Sequence, residues 1–301
     1  MAIGVTEQQQ PGHPGRQVTD AIRVSVPDRG LRQDLRAVNI VWRRELIRFR
    51  SDRLRAVTSL VQPVLFLFVL GTGLSSLASH GLPQGVDFRT FIYPGVLAMS
   101  VLFTAIFSAA SIVWDREFGF LREMLVAPVS RSAIVIGKCL GGATVATFQG
   151  IVILALAGLA HVPYDPVLFL IIIGELLLLS FTLTAFGVMM AARIKQIQAF
   201  MALTQMLVMP LFFLSGALYP LRGLPGWLTV LTRLDPLTYI VYPMRYAVFS
   251  HLTLPRQATE LLSPSLTWFG WTVPVGLSLG MVALMGAALL TIAILEFQKT
   301  E

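Results

Sequence analysis

The sequence predicts an all-α integral membrane protein with six transmembrane helices, and three observations carry that prediction. Hydrophobic residues make up 55% of the 301-residue chain and charged residues only 13%, where soluble domains carry nearer a quarter. Six runs reach the roughly 20 mostly apolar residues that a spanning helix needs, and five of the six hold no charge. Lysine and arginine gather in alternate connections between those runs.

Residues 1–30, rich in Gln, Pro, Gly and Arg, hold too little apolar surface to fold and are expected to form a disordered tail. They contain no apolar core of signal-peptide length, so the chain is expected to keep its start and enter the membrane through its first span. In residues 31–55 the pattern changes. Leu31, Leu35, Val38, Trp42, Leu46 and Phe49 recur at three- and four-residue spacing, with Arg36, Arg43 and Arg50 on another face. That periodicity predicts an N-terminal interfacial amphipathic helix whose arginines reach toward lipid headgroups.

The membrane body, residues 56–295, holds the spans: Ala56 to Leu77, Thr90 to Trp114, Cys139 to Ala160, Val167 to Ala192, Ile197 to Tyr219, and Trp271 to Leu295. Pro63, Pro94, Pro210 and Pro274 fall within them and predict kinks, tolerable in lipid where neighbouring helices satisfy the freed backbone groups. The basic residues divide 18 to 5 between the two sides. By the positive-inside rule both termini, including the short tail 296–301, are then expected in the cytosol of a multi-pass plasma-membrane protein. Gly137 with Gly141, and Gly276 with Gly280, sit four apart and would let helices approach closely. Glu175 is the one charge at depth; it reads either as a functional group or as a protonated carboxyl hydrogen-bonded to a neighbouring helix.

Two connections are long. Trp114 to Cys139 is polar, with Arg116, Arg122, Arg131 and Lys138 against Asp115, Glu117 and Glu123, and with Phe118, Leu121, Met124 and Leu125 at helical spacing. It predicts a short amphipathic helix on the cytosolic face, or a surface for a soluble partner. Pro220 to Gly270 predicts two sub-spanning helices, Trp227 to Leu234 and Leu237 to Ser250, broken at Asp235-Pro236. Their aromatics (Trp227, Tyr239, Tyr242, Tyr246) suit the outer interface, as a re-entrant outer helical hairpin before span six.

Several chemistries are excluded. Gly137-Lys138 is followed by Cys139 and preceded at the required distance by Ser132, so no phosphate-cradling loop is present. No carboxylate pair, nucleophile elbow or zinc-protease motif occurs, which leaves an enzyme without a catalytic centre. The single cysteine, Cys139, and four scattered histidines give no metal-ligand spacing. The net charge of +7 comes from residues beside apolar runs, which fits an anionic leaflet rather than nucleic acid.

The order of these parts resembles the permease subunits of type-2 ABC exporters, and within them the daunorubicin/doxorubicin-resistance branch. Two segments carry the likeness: DREFGFLREMLVAPVSRSAIVIGK, with Arg116, Gly119, Glu123, Pro128 and Lys138, and FFLSGALYPLRGLPGWLTVLTRLDPLTYIVYPMR, with Ser215, Gly216, Pro220, Pro225, Trp227, Asp235, Pro236, Leu237, Tyr239 and Arg245. Where the family often reads Gly-Thr-Leu-Glu, this chain has Gly119-Phe120-Leu121-Arg122-Glu123, so the Thr is missing and Glu123 is assigned by its place in the helix. The resemblance implies a half-transporter, paired with a second copy or a sister permease as a homodimer or heterodimer. Separate ABC ATP-binding subunits would hold the ATP and magnesium; this chain itself would carry no cofactor. The segment 115–129 would be a cytosolic coupling helix between spans two and three, with Arg116, Glu117, Gly119, Leu121, Glu123 and Pro128 on the partner surface. Spans two and five would line the pathway through Met99, Phe103, Phe107, Met206, Met209, Phe212, Phe213 and Leu214, a greasy surface for a hydrophobic substrate amid membrane lipids. The implied function is ATP-driven export of hydrophobic drugs or lipid-like molecules, as in multidrug efflux. The alternatives are export of lipid-linked glycans or lipo-oligosaccharides, a proton-coupled secondary carrier using Glu175, and a non-transporting scaffold.

Overall fold

The computed structural model describes residues 30–75, 86–120, 129–221, 223–252, 255–268 and 271–299. It is an all-α membrane protein with six helices long and apolar enough to cross a bilayer: Ala56–Gly73, Phe88–Glu117, Arg131–Leu154, Pro166–Arg193, Ile197–Leu214 and Val275–Lys299. An N-terminal helix α1, Leu31–Ser51, precedes them. Helices Gly226–Leu234 and Thr238–Ser250 form the hairpin before the sixth span. A short helix, Arg256–Leu262, and a two-residue strand pair, Thr267↔Thr272 and Trp268↔Trp271, complete that end.

The boundaries move for local reasons. The third span starts eight residues earlier than its hydropathy suggests, because the Ser130 hydroxyl accepts the Ala133 N–H at 3.2 Å and caps it. The polar stretch 114–139 is therefore not one helix. Its first residues complete the second span, Arg131–Lys138 open the third, and residues 121–128 lie outside the described residues. The fifth span ends at Leu214, since Gly216 adopts φ +72° and turns the chain. Pro274 makes no kink: it stands just before the sixth span, and its carbonyl accepts from the Leu277 and Ser278 N–H groups. Pro63, Pro94 and Pro210 do lie inside helices, and Pro63 precedes a π-helical turn at Phe66–Leu70.

Spans two and three form the packed centre. In their most apolar windows 78% and 72% of residues are buried, against 17% for span one and 22% each for spans five and six, which therefore flank the centre with open faces. Span four packs on both central spans, and span six packs on span four. Thr182 donates to the Val282 carbonyl at 3.2 Å and Arg193 pairs with Glu296 at 2.8 Å, so these two run in the same direction in steady register.

Helix α1 lies along the first half of the third span. A Cβ on Gly137 would meet Val41 Cβ at 2.7 Å, one on Gly141 would meet Glu45 Cβ at 2.6 Å, and the Phe49 and Phe148 rings meet edge to face at 6.4 Å. The Gly137/Gly141 pair thus brings two backbones together, as its spacing predicts. Gly276 and Gly280 do not: nothing lies within 4 Å of either among the described residues. The sixth span buries the opposite face, through Ser278, Val282, Gly286, Ala293 and Phe297.

Leucine at Gly137 should push α1 off the third span at a cost of about 1–3 kcal/mol, lowering the melting temperature in mild detergent. Leucine at Gly276 should change it within about 0.5 kcal/mol. Equal shifts for the two variants would contradict this packing.

Candidate functional site

The last turn of the second span sends consecutive side chains to different elements at one end of the bundle, here called the basic end. Asp115 turns inward to the third span: its Oδ2 lies 2.6 Å from Lys138 Nζ and 2.5 Å from Arg44 Nη2. Lys138, whose side chain is 2% exposed, also meets Glu45 Oε1 at 2.8 Å and Ser111 Oγ at 3.0 Å. A buried ammonium needs such company, because an unpaired charge in an apolar interior costs several kcal/mol.

Arg116 turns the other way. Its guanidinium donates to the carbonyls of Ala191, Ala192 and Ile194 at 3.2, 3.0 and 2.8 Å, backbone acceptors at the end of span four. Glu117 Oε2 accepts the backbone N–H of Ile197 at 3.0 Å, the first residue of span five, where a carboxylate also complements the helix dipole. Adjacent residues thus clamp the connection from span four to span five against the base of span two. Gly119 then reverses the chain at φ +84°, and Phe118 and Phe120 are exposed beside it. Leu121, Glu123 and Pro128 lie outside the described residues.

Above this base is a cavity of about 390 Å³ between α1, spans one to three and Met201 of span five. Phe103 and Phe107, stacked at 6.2 Å, form one wall. Its floor holds Glu45, Arg48 and Trp114, with the Arg48 guanidinium 5.2 Å from the indole centroid. Polar groups line it deeper in: the Gln149 amide, 2% exposed, bonds the Ser59 and Thr104 hydroxyls, joining three spans.

The other residues expected along a pathway separate by face. Phe200, Thr204, Val208 and Phe212 repeat every four residues along the buried stripe of span five, which turns Phe212 inward against Phe66 at 6.0 Å. Met206 and Phe213, 72% and 50% exposed, occupy its open face; Met209 and Leu214 are half-buried. Met99 is wholly enclosed in the centre of the protomer.

At the opposite end, Arg245 ties the hairpin to the end of span five. It donates to the Gly216 and Ala217 carbonyls at 2.7 and 3.1 Å and lies 4.4 Å over the Phe91 ring of span two. Asp235 Oδ1 accepts the Leu237 N–H at 2.9 Å, and burial pushes its carboxyl up to about 8. Glu175, 4% exposed, stands two turns above Thr182 and so level with the start of span six. Its Oε2 has no hydrogen-bond partner among the described residues, so the expected bond to a neighbouring helix is not formed there.

The Lys138 cluster and the Gln149 node escape sequence reasoning. Gln62 and Gln149 are visible as amides inside apolar runs, which is the one signal available. Nothing in the spacing shows that Glu45, seventy residues from Asp115, meets the same lysine.

Comparison with known proteins agrees with this architecture. The ABC-2 type transporter membrane family matches residues 36–249. The inner membrane transport permease YadH of Escherichia coli K12 is 28% identical over 228 residues, covering 74% of this chain and 87% of that protein. The ycf38 transport permease of Cyanophora paradoxa is 28% identical over 214 residues, 70% of this chain and 73% of the relative. A third relative, an E. coli K12 protein named "Probable multidrug ABC transporter permease YbhR", is 31% identical over 164 residues, 51% of this chain and 42% of its own length. A family match across residues 36–249, from α1 through both hairpin helices, joined to six apolar helices, makes this chain a membrane permease of the ABC-2 type transporter family.

Proposed function

We propose that this chain is the membrane subunit of an ATP-driven exporter of hydrophobic drugs or lipid-like molecules, working with a separate ATP-binding subunit. Both ends and the segment 115–138 would then face the cytosol. The clamp at the base of span two supports this reading best. A push on the turn at Gly119 reaches span four through Arg116 and span five through Glu117, and span five is loosely held elsewhere. The chain has a rigid lever and a mobile wall, as a rocking mechanism requires. In this reading Arg116 and Glu117 transmit the motion, while Phe118, Gly119, Phe120, Leu121, Glu123 and Pro128 meet the partner. In a two-fold pair the open faces of spans one and five meet across the axis, and Met206 and Phe213 line the route. Co-purification in mild detergent tests the assignment: an ATPase should accompany the chain, and hydrophobic substrates should change its rate.

The Glu175 Oε2, buried without a hydrogen-bond partner among the described residues, favours a second reading, a proton-coupled carrier. Glu175→Gln keeps the shape and removes the charge, and should retain most export. Its abolition at normal expression, with a proton gradient alone driving the wild type, would favour the carrier.

Glu117→Gln should keep most export, because an amide oxygen still accepts the Ile197 N–H. Glu117→Ala removes a helix cap worth about 0.5–2 kcal/mol and should lower export several-fold while the ATP-binding subunit still co-purifies. If glutamine were as damaging as alanine, the charge of Glu117 would be needed against the partner and the clamp would not be its role.

In a Cys139→Ser background, Phe213→Cys should cross-link two copies and block export reversibly. Phe212→Cys, on the buried stripe, should cross-link at least tenfold less. The reverse order would place the inner stripe of span five at the pair interface.

A further inference from the structure

We infer that the groove between α1 and the third span is a binding site for an anionic phospholipid of the leaflet adjoining the basic end. The groove has a volume of about 360 Å³ and is lined by Leu35, Val38, Asn39, Trp42, Leu140 and Thr144. Its polar edge is spent internally, since the Trp42 indole donates to the Thr144 hydroxyl at 3.1 Å and Thr144 donates to the Leu140 carbonyl. What remains is an apolar channel with a cationic rim.

The rim is the second observation. Arg36 and Arg43 flank Asn39 at three and four residues, so all three share a face of α1. Both arginines are exposed. Among the described residues neither has a carboxylate, a ring or another side chain as partner. On the same helix Arg44 and Arg48 turn inward to Asp115 at 2.5 and 3.7 Å. Of the six arginines on the helix, Arg44 and Arg48 thus serve a carboxylate of the protein, while Arg36 and Arg43 beside the groove are left for an anion from outside. Guanidinium groups suit a phosphodiester, which they bind in a planar fork. A zwitterionic headgroup would bring its ammonium against the same arginines, so a net anionic lipid is favoured.

The third observation is the path for a chain. Leu140, Phe148 and Ile151 are exposed by 38%, 56% and 37% on one side of the third span, with Thr144 between them. This stripe leaves the groove and continues for roughly 16 Å at the helical rise, close to the half-thickness of a hydrocarbon core about 30 Å deep. Phosphate at Arg36 and Arg43 and an acyl chain along the stripe use both features at once. Such a lipid would brace α1 against the third span from outside, on the side away from Lys138.

Native mass spectrometry of the full chain, titrated with phosphatidylglycerol or phosphatidylcholine, tests the site. The wild type should hold phosphatidylglycerol about tenfold or more tightly than phosphatidylcholine. Arg36→Gln with Arg43→Gln should abolish that preference, whereas Lys195→Gln should leave it intact. Leu140→Trp, which fills the groove and keeps both arginines, should weaken phosphatidylglycerol binding by a similar factor. Equal affinity of the wild type for the two lipids would overturn the proposal. So would a double arginine variant that keeps the preference but no longer co-purifies with an ATP-binding subunit, because the arginines would then belong to a protein partner.

Discussion

The structure depends on the need to neutralise Lys138. An ammonium 2% exposed in a helix of small and apolar residues is stable only where carboxylates come to it. Glu45 arrives from α1 and Asp115 from the end of span two, so one buried charge fixes three elements at one point. Breaking such a cluster costs about 3–5 kcal/mol, since the remaining charges stay buried and unpaired. The glycines at 137 and 141 serve the same junction: without their close approach Glu45 would not reach the lysine.

Around that fixed point the bundle is unevenly held. Spans two, three and four share a continuous interior that takes in Met99, Val101, Leu176 and Leu183, while spans one and five touch it along single stripes. Interiors packed to crystal density move as units, so the loosely held spans are where relative motion is cheapest. The Arg116 and Glu117 contacts reach spans four and five, which the Lys138 cluster does not touch. The contacts that hold α1 and those that hold the connection from span four to span five therefore start from neighbouring residues on one turn of helix.

Polar groups inside the bundle divide into satisfied and unsatisfied. Gln149, Thr104 and Ser59 bond one another across three spans beside the cavity, whose aromatic wall and amides give it both apolar and hydrogen-bonding faces. Arg245 is spent on two carbonyls and a ring, which closes the hairpin onto spans two and five. Glu175 stands apart from both groups, an acid enclosed beside the start of span six with one oxygen unbonded among the described residues.

The sequence by itself determined the class of protein, the number of spans, the break at Asp235-Pro236 and the close approach at Gly137 and Gly141. Hydropathy, proline chemistry and helical period are local properties, and lipid requires every span to satisfy its own backbone. Tertiary structure alone decided which faces meet. Gly276 and Gly280 have the same spacing as the working glycine pair but point away from the packed side of span six. Phe212 and Phe213 look alike in sequence, yet Phe212 lies on the fifth span's buried stripe and Phe213 on its open face. Arg116 carries a charge whose partners its spacing does not name, and the fold brings it to three carbonyls at the end of span four. A residue's partner across the bundle depends on the register and rotation of two helices distant in sequence, and no periodicity within either helix encodes that relation.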